Sequence, residues 1–133
     1  MDTIKKILIT GGNGYIGSCL SSVLYRKYSI SIIDKEKKSK FLPKKIEYFK
    51  SDLKNKKKLL KILKKVKPNL IIHLAAQSTI DLVDKKKYSY YLNNYFATKV
   101  LTECIKELKI SNLIFSSTAA VYKKKEIKIN ENS

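Results

Sequence analysis

Three glycines, Gly11, Gly14 and Gly17, follow directly on the apolar run Ile7-Leu8-Ile9 and open a segment of helical spacing. A chain that turns from strand to helix within so few residues needs backbone without side chains at the turn. The helix start that follows presents unpaired N–H groups and the positive end of a helix dipole, which suit a phosphate. The G-x-x-G-x-x-G spacing of Thr10-Gly11-Gly12-Asn13-Gly14-Tyr15-Ile16-Gly17 is a close variant of the dinucleotide-binding fingerprint. A plain glycine turn is the alternative reading. The strand before it, the helix after it and the acid at Asp34 argue against that.

The rest of the chain alternates. Ile7 to Thr10 predicts a buried parallel strand, and Ile16, Cys19, Leu20, Val23 and Leu24 predict the apolar stripe of a helix. Ile30 to Asp34 is a second strand, followed by a lysine-rich loop from Lys35 to Lys45 that Pro43 interrupts. Ile46 to Phe49 is a short third strand leading to Ser51-Asp52-Leu53. Asn55 to Lys67 is a helix with Leu59, Leu60, Leu63 and Val66 on one face, stopped by Pro68. Asn69 to Leu74 is a fourth strand, Tyr88 to Leu108 a long helix, and Asn112 to Ser117 a fifth strand. The remainder, Lys123 to Ser133, is polar and without periodicity. This order predicts an α/β fold: a doubly wound parallel sheet of the Rossmann type, order 3-2-1-4-5, cut off after the fifth strand. A ligand is expected across the carboxyl ends of the strands, where the order reverses.

The 133 residues suffice for one domain with a real core, and 44% hydrophobic content is that of a globular chain. No apolar run is long enough to span a membrane, and Met1 to Thr10 does not read as a signal peptide. Cys19 and Cys104 fall in predicted helices, and one histidine cannot complete a zinc site with them, so no metal is expected. A reducing, cytoplasmic setting is the default. The net charge of +18 raises the question of nucleic acid, but Arg26 is the only arginine. Specific nucleic-acid sites draw on arginine for its bidentate geometry. The excess reads as lysine on solvent faces, with no dedicated nucleic-acid site.

Each residue of chemical interest falls at a strand's carboxyl end. Asp34 ends the second strand about twenty residues past the glycines, where a carboxylate meets adenosine ribose hydroxyls and repels the extra phosphate of NADP. NAD is therefore the expected cofactor. Asp52 has two readings: an acceptor for the adenine amino group with Leu53 packed on the ring, or a helix N-cap. His73-Leu74-Ala75-Ala76 ends the fourth strand, its small residues leaving room for a cofactor. His73 itself reads as a satisfied strand-end histidine rather than a catalytic one. Ser116-Ser117-Thr118 leaves the fifth strand with hydroxyls that suit a sugar hydroxyl or ketone.

Together these motifs resemble the N-terminal part of the UDP-glucose 4-epimerases, members of the NAD-dependent epimerase/dehydratase family of extended short-chain dehydrogenase/reductases. The resemblance rests on the glycine loop, Asp34, Asp52, the span from His73 to Tyr90-Tyr91-Leu92-Asn93-Asn94, and Ser116-Ser117-Thr118-Ala119-Ala120-Val121-Tyr122. It covers almost the whole chain, and Ala119 and Ala120 favour the epimerase branch over the dehydratases. It implies interconversion of UDP-glucose and UDP-galactose through a 4-keto intermediate, with tightly bound NAD, a UDP-sugar substrate and a homodimer. It implies cofactor contacts from Gly11, Gly14, Tyr15, Ile16, Gly17, Asp34, Asp52, Leu53, Leu74, Ala75, Ala76, Ser78 and Asn93. Thr118 becomes the catalytic hydroxyl that shares the sugar's 4-hydroxyl proton with a tyrosine.

There are departures from the family pattern. The family's Tyr-x-x-x-Lys pair lies beyond the threonine, past Ser133, so residues 1–133 read as an incomplete NAD-binding Rossmann domain, without the sugar-nucleotide region and inactive alone. Tyr95-Phe96-Ala97-Thr98-Lys99 spells the motif ahead of Thr118 and reads as a chance match. Ser78 stands where some members carry a cofactor-contacting lysine, Lys87 replaces a usual proline, and Lys123 a usual glycine.

Overall fold

The computed structural model describes residues 5–78 and 87–118. The alanine pair at 119–120, Val121, Tyr122 and the polar tail lie outside the described residues. Strand β1 (Lys6–Thr10) leads into helix α1 (Tyr15–Leu24), then β2 (Ser29–Asp34), β3 (Glu47–Lys50), helix α2 (Lys56–Val66) and β4 (Leu70–His73). A helical turn α3 (Lys87–Tyr90) passes through a π-helical segment (Tyr91–Phe96) into α4 (Ala97–Glu107), and β5 (Leu113–Phe115) follows. The five strands form one parallel sheet in the order β3-β2-β1-β4-β5. That is the doubly wound Rossmann order expected from the alternation.

Side chains alternate across the sheet and build a core on each face. Leu8, Ile33 and Ile71 point one way, into Leu59, Leu63, Val66, Val100, Leu101 and Cys104 of α2 and α4. Ile7, Ile9, Ile30, Ile32 and Ile72 point the other way, beneath Leu20 and Leu24 of α1 and the loop residues Leu42 and Ile46. Parallel strands buried on both faces read as unbroken apolar runs, which is why the sequence marks them clearly. Helix α2 starts at Asn55, whose Oδ1 accepts the Lys58 N–H at 3.0 Å, and ends at Lys67 in the left-handed region (φ 49°) just before Pro68.

Two expectations need correction. The stripe predicted for α1 holds only at Leu20 and Leu24, which pack on the core; Ile16 and Val23 are 61% and 69% exposed, Cys19 is exposed too, and Gly17 and Ser21 are the buried residues. Helix α1 crosses the glycine turn too closely for bulk, so small residues mark its packed side, with the Ser21 hydroxyl donating to the Gly17 carbonyl at 2.6 Å. The long helix also contains a π-helical segment, which the apolar spacing does not reveal. Such segments concentrate at functional sites because they turn side chains out of helical register.

The register levels the strand ends. Thr10 pairs with His73, and His73 with Phe115, while Asp34 pairs with Lys50. The residues that leave these ends form one crest. β5 is one of the two outer strands, and its Leu113, Ile114 and Phe115 are 39%, 53% and 55% exposed. Among the described residues, no helix is long and apolar enough to cross a membrane.

Candidate functional site

Along this crest runs a cleft of about 790 Å³. The sequence-nominated residues from the glycine loop (Gly11, Gly14, Tyr15, Ile16, Gly17) line it, as do Asp34, Asp52 and Leu53. So do Leu74, Ala75, Ala76 and Ser78 beyond β4, Asn93 on the π-helical segment, and Thr118 beyond β5. Residues scattered over more than a hundred sequence positions thus meet in one groove. Tyr95 and Lys99 do not line it; Tyr95 is 57% exposed and stacks on Tyr91 with ring centroids 5.1 Å apart.

The glycine turn admits no side chain at two points. Gly11 has φ +71°, and a Cβ there would lie 2.7 Å from the Ala75 backbone nitrogen. A Cβ on Gly17 would lie 2.6 Å from the Gly12 Cα, so helix α1 could not begin against the turn. Helix α1 has no side-chain cap at its N-terminus, and no acid lies in its first turn. Its leading N–H groups and dipole end therefore stand beside the cleft without a competing carboxylate on the helix, an arrangement suited to a pyrophosphate.

Asp34 sits opposite. Its Oδ2 accepts the Asn13 N–H and its Oδ1 the Glu36 N–H, both at 3.0 Å, which fixes the carboxylate plane while leaving each oxygen a lone pair. The charge at this end registers on Tyr48, whose hydroxyl is pushed up to about 12 by burial and then by Asp34 and Glu36. Of the two readings of Asp52, the N-cap does not hold, since Asn55 caps α2. Asp52 instead accepts the Lys54 N–H at 2.9 Å and pairs with the Lys54 ammonium at 3.0 Å. Burial opposes ionisation of Asp52, but the Lys54 hydrogen bonds and charge outweigh it and hold the carboxyl below its usual range.

Several functional neighbours escaped the sequence reading. The Lys54 ammonium also donates to Asn93 Oδ1 at 2.7 Å, and the Asn93 amide donates to Gln77 Oε1 at 2.9 Å. Asn94 clasps the Gln77 backbone from both sides, accepting its N–H at 2.7 Å and donating to its carbonyl at 3.1 Å. The chain leaving β4 is thereby fixed to the π-helical segment, whose geometry brings both asparagines to the groove. The Asn-Asn pair was visible in the sequence. Lys54 was hidden by the abundance of lysine.

His73 lies under the floor of the cleft, 1% exposed. Its Nδ1 bonds the Thr10 hydroxyl at 2.6 Å and its Nε2 the Thr98 hydroxyl at 2.8 Å, while the Phe115 ring stacks on it. Burial pushes its pKa down to about 4, so it is neutral and fully partnered near neutrality. It ties β1, β4 and α4 together, as a satisfied strand-end histidine does. Among the described residues no cluster of three or more His, Cys, Asp or Glu side chains is placed to hold a metal.

The family model described as the NAD dependent epimerase/dehydratase family matches residues 7–133. The UDP-glucose 4-epimerase of Mycoplasma pneumoniae is 32% identical over 128 residues, which are 91% of this chain and 38% of that protein. A UDP-glucose 4-epimerase sequence from Klebsiella pneumoniae is 32% identical over 128 residues, covering 88% of this chain and 91% of the relative. The crystal structure of UDP-glucose 4-epimerase from Brucella ovis in complex with NAD superposes with a TM-score of 0.85 at 25% identity, over 96% of this chain and 40% of that one. The chain thus spans well under half of the Mycoplasma and Brucella proteins. With the fold, the glycine turn and the cleft in agreement, the chain belongs to the NAD dependent epimerase/dehydratase family.

Proposed function

We propose that residues 1–133 form the NAD-binding domain of a UDP-glucose 4-epimerase-type enzyme. The observation that carries this reading is the meeting of the glycine turn and Asp34 across the Asn13 N–H, at the crest where β1 and β2 end. The residues fit the group. The turn between Gly11 and Gly17 leaves backbone without side chains where phosphates approach, and α1 offers its N–H groups. Asp34 takes the adenosine ribose hydroxyls; Asp52 and Leu53 take the adenine. Leu74, Ala75, Ala76 and Ser78 flank the cofactor, and Asn93 supports its nicotinamide end. Bound there, NAD supplies a reversible hydride acceptor for the sugar's C4.

Thr118 would share the proton of the sugar 4-hydroxyl with the tyrosine of the family. A hydroxyl is a weak base at neutral pH, and proton abstraction calls for a group poised near the working pH. The Tyr-x-x-x-Lys pair of the family and most of its sugar pocket are not found within these 133 residues. A polypeptide of residues 1–133 alone therefore binds cofactor without turning over UDP-sugars. The cytoplasm is the expected setting, and the helix bearing the exposed Tyr91 and Tyr95 is the expected homodimer face. Another nucleotide-sugar reaction of the same family, such as 4,6-dehydration, uses the same cofactor domain.

Titration calorimetry tests the cofactor reading. NAD should bind more tightly than NADP, and Asp34→Ala should narrow the gap by removing both the ribose bonds and the repulsion. Equal affinities for the wild-type chain would sink the assignment of Asp34.

A further inference from the structure

The loop between β2 and β3 is held shut from two sides. Asn13, inside the glycine turn, donates through Nδ2 to the Lys37 carbonyl at 3.1 Å and accepts the Ser39 N–H on Oδ1 at 2.9 Å. These side-chain bonds are separate from its backbone bond to Asp34. From the far side, the Lys38 ammonium is taken up by backbone carbonyls: Ile46 at 2.8 Å, Pro43 at 3.2 Å and Lys44 at 3.4 Å. Tyr48 adds a hydroxyl bond to the Glu36 carbonyl at 2.7 Å.

We infer that Asn13 is a specificity-determining residue that acts through this loop, keeping it closed beside Asp34 so that the site rejects a ribose 2′-phosphate. The inference rests on the cofactor reading above. This segment carries Lys35, Lys37, Lys38 and Lys40 next to the ribose acid, a composition that would ordinarily draw a phosphate. The closed loop removes that attraction at Lys38, whose ammonium is spent on carbonyls. Lys38 is thereby kept from the ribose end of the cleft, which Asp34, locked by two N–H groups, lines together with Lys35 and Glu36. Asn13 is thus a positioning residue: its amide ties the glycine turn to the loop that frames the ribose. Cofactor choice depends on that tie as well as on Asp34.

Asn13→Ala is a clean perturbation. It removes both side-chain bonds, keeps the residue 13 N–H on Asp34, and puts no strain on the backbone, since φ is not positive there. Affinities of wild type and Asn13→Ala for NAD and NADP are measured by calorimetry, with hydrogen exchange followed at the Ser39 amide. The expected result is faster Ser39 exchange and a fall of about tenfold in the NAD-to-NADP affinity ratio, the size of two lost hydrogen bonds. A merely structural role would weaken both dinucleotides alike. An unchanged ratio in a variant whose Ser39 amide exchanges faster overturns the inference while leaving the cofactor reading intact. A wild-type chain that binds neither dinucleotide overturns both.

Discussion

Acidification should destabilise this domain through one buried group. His73 titrates at about 4 when folded, against 6.5 for an unperturbed histidine, because burial disfavours the imidazolium. Between those values the unfolded chain binds the proton and the folded chain does not, so stability rises with pH across the window. The penalty is nearly absent at pH 7 and complete below pH 4. The full shift corresponds to about 3 kcal/mol, and the part developed between pH 7 and pH 5 to about 2 kcal/mol. That is a large share of the stability of a domain this small. The His73→Gln variant keeps a polar side chain between Thr10 and Thr98 but cannot titrate. Urea unfolding of both proteins at pH 7 and pH 5, followed by far-ultraviolet circular dichroism, isolates the His73 contribution, because the remaining titrating groups contribute equally to each. The wild type should lose about 2 kcal/mol more than the variant. Equal losses would mean that burial does not hold His73 neutral and that it is charged, or hydrated, in the folded state.

Other outcomes follow from the same geometry. Gly17→Ala sets a Cβ against the Gly12 backbone and should weaken NAD binding at least about tenfold by calorimetry, with about 1–3 kcal/mol lost in denaturant melts. Asn55→Ala removes the α2 cap and should cost about 1 kcal/mol without changing cofactor affinity. Ile114→Lys, on the exposed outer strand, should reduce aggregation in light-scattering assays, because charge on an edge strand opposes pairing. Residues 1–133 incubated with NAD and UDP-galactose should yield no UDP-glucose; turnover lost in Tyr95→Phe would instead bring the Tyr95–Lys99 pair into the chemistry.

The sheet order was legible because parallel strands buried on both faces leave runs such as Ile7-Leu8-Ile9 and Leu70-Ile71-Ile72 with no polar break. The nominated residues other than Asn93 fall in one cleft because they stand at or just past a strand end or at the start of α1, which topology brings to one crest; Asn93 reaches it from the π-helical segment. What the sequence hid has physical causes. The fully buried positions of α1 are the small residues Gly17 and Ser21, so hydrophobic spacing found Leu20 and Leu24, which pack on the core, but also Ile16 and Val23, which are exposed. The π-helical segment keeps the same composition as an ordinary helix. Asn13, Lys54 and Gln77 act through long-range polar contacts that leave no local periodicity, and a lysine-rich chain makes any one lysine inconspicuous.

The cleft at the carboxyl ends of the strands is the proposed NAD site. Titrating NAD into ¹⁵N-labelled protein and following the amide resonances tests it most directly. Saturable shifts are expected, concentrated at Gly11–Gly17, Asp34, Asp52, Leu74–Ser78 and Asn93. No saturable shifts, or shifts centred on the 470 Å³ cavity at the other end of the sheet, beside Lys67 and Lys109, would contradict it.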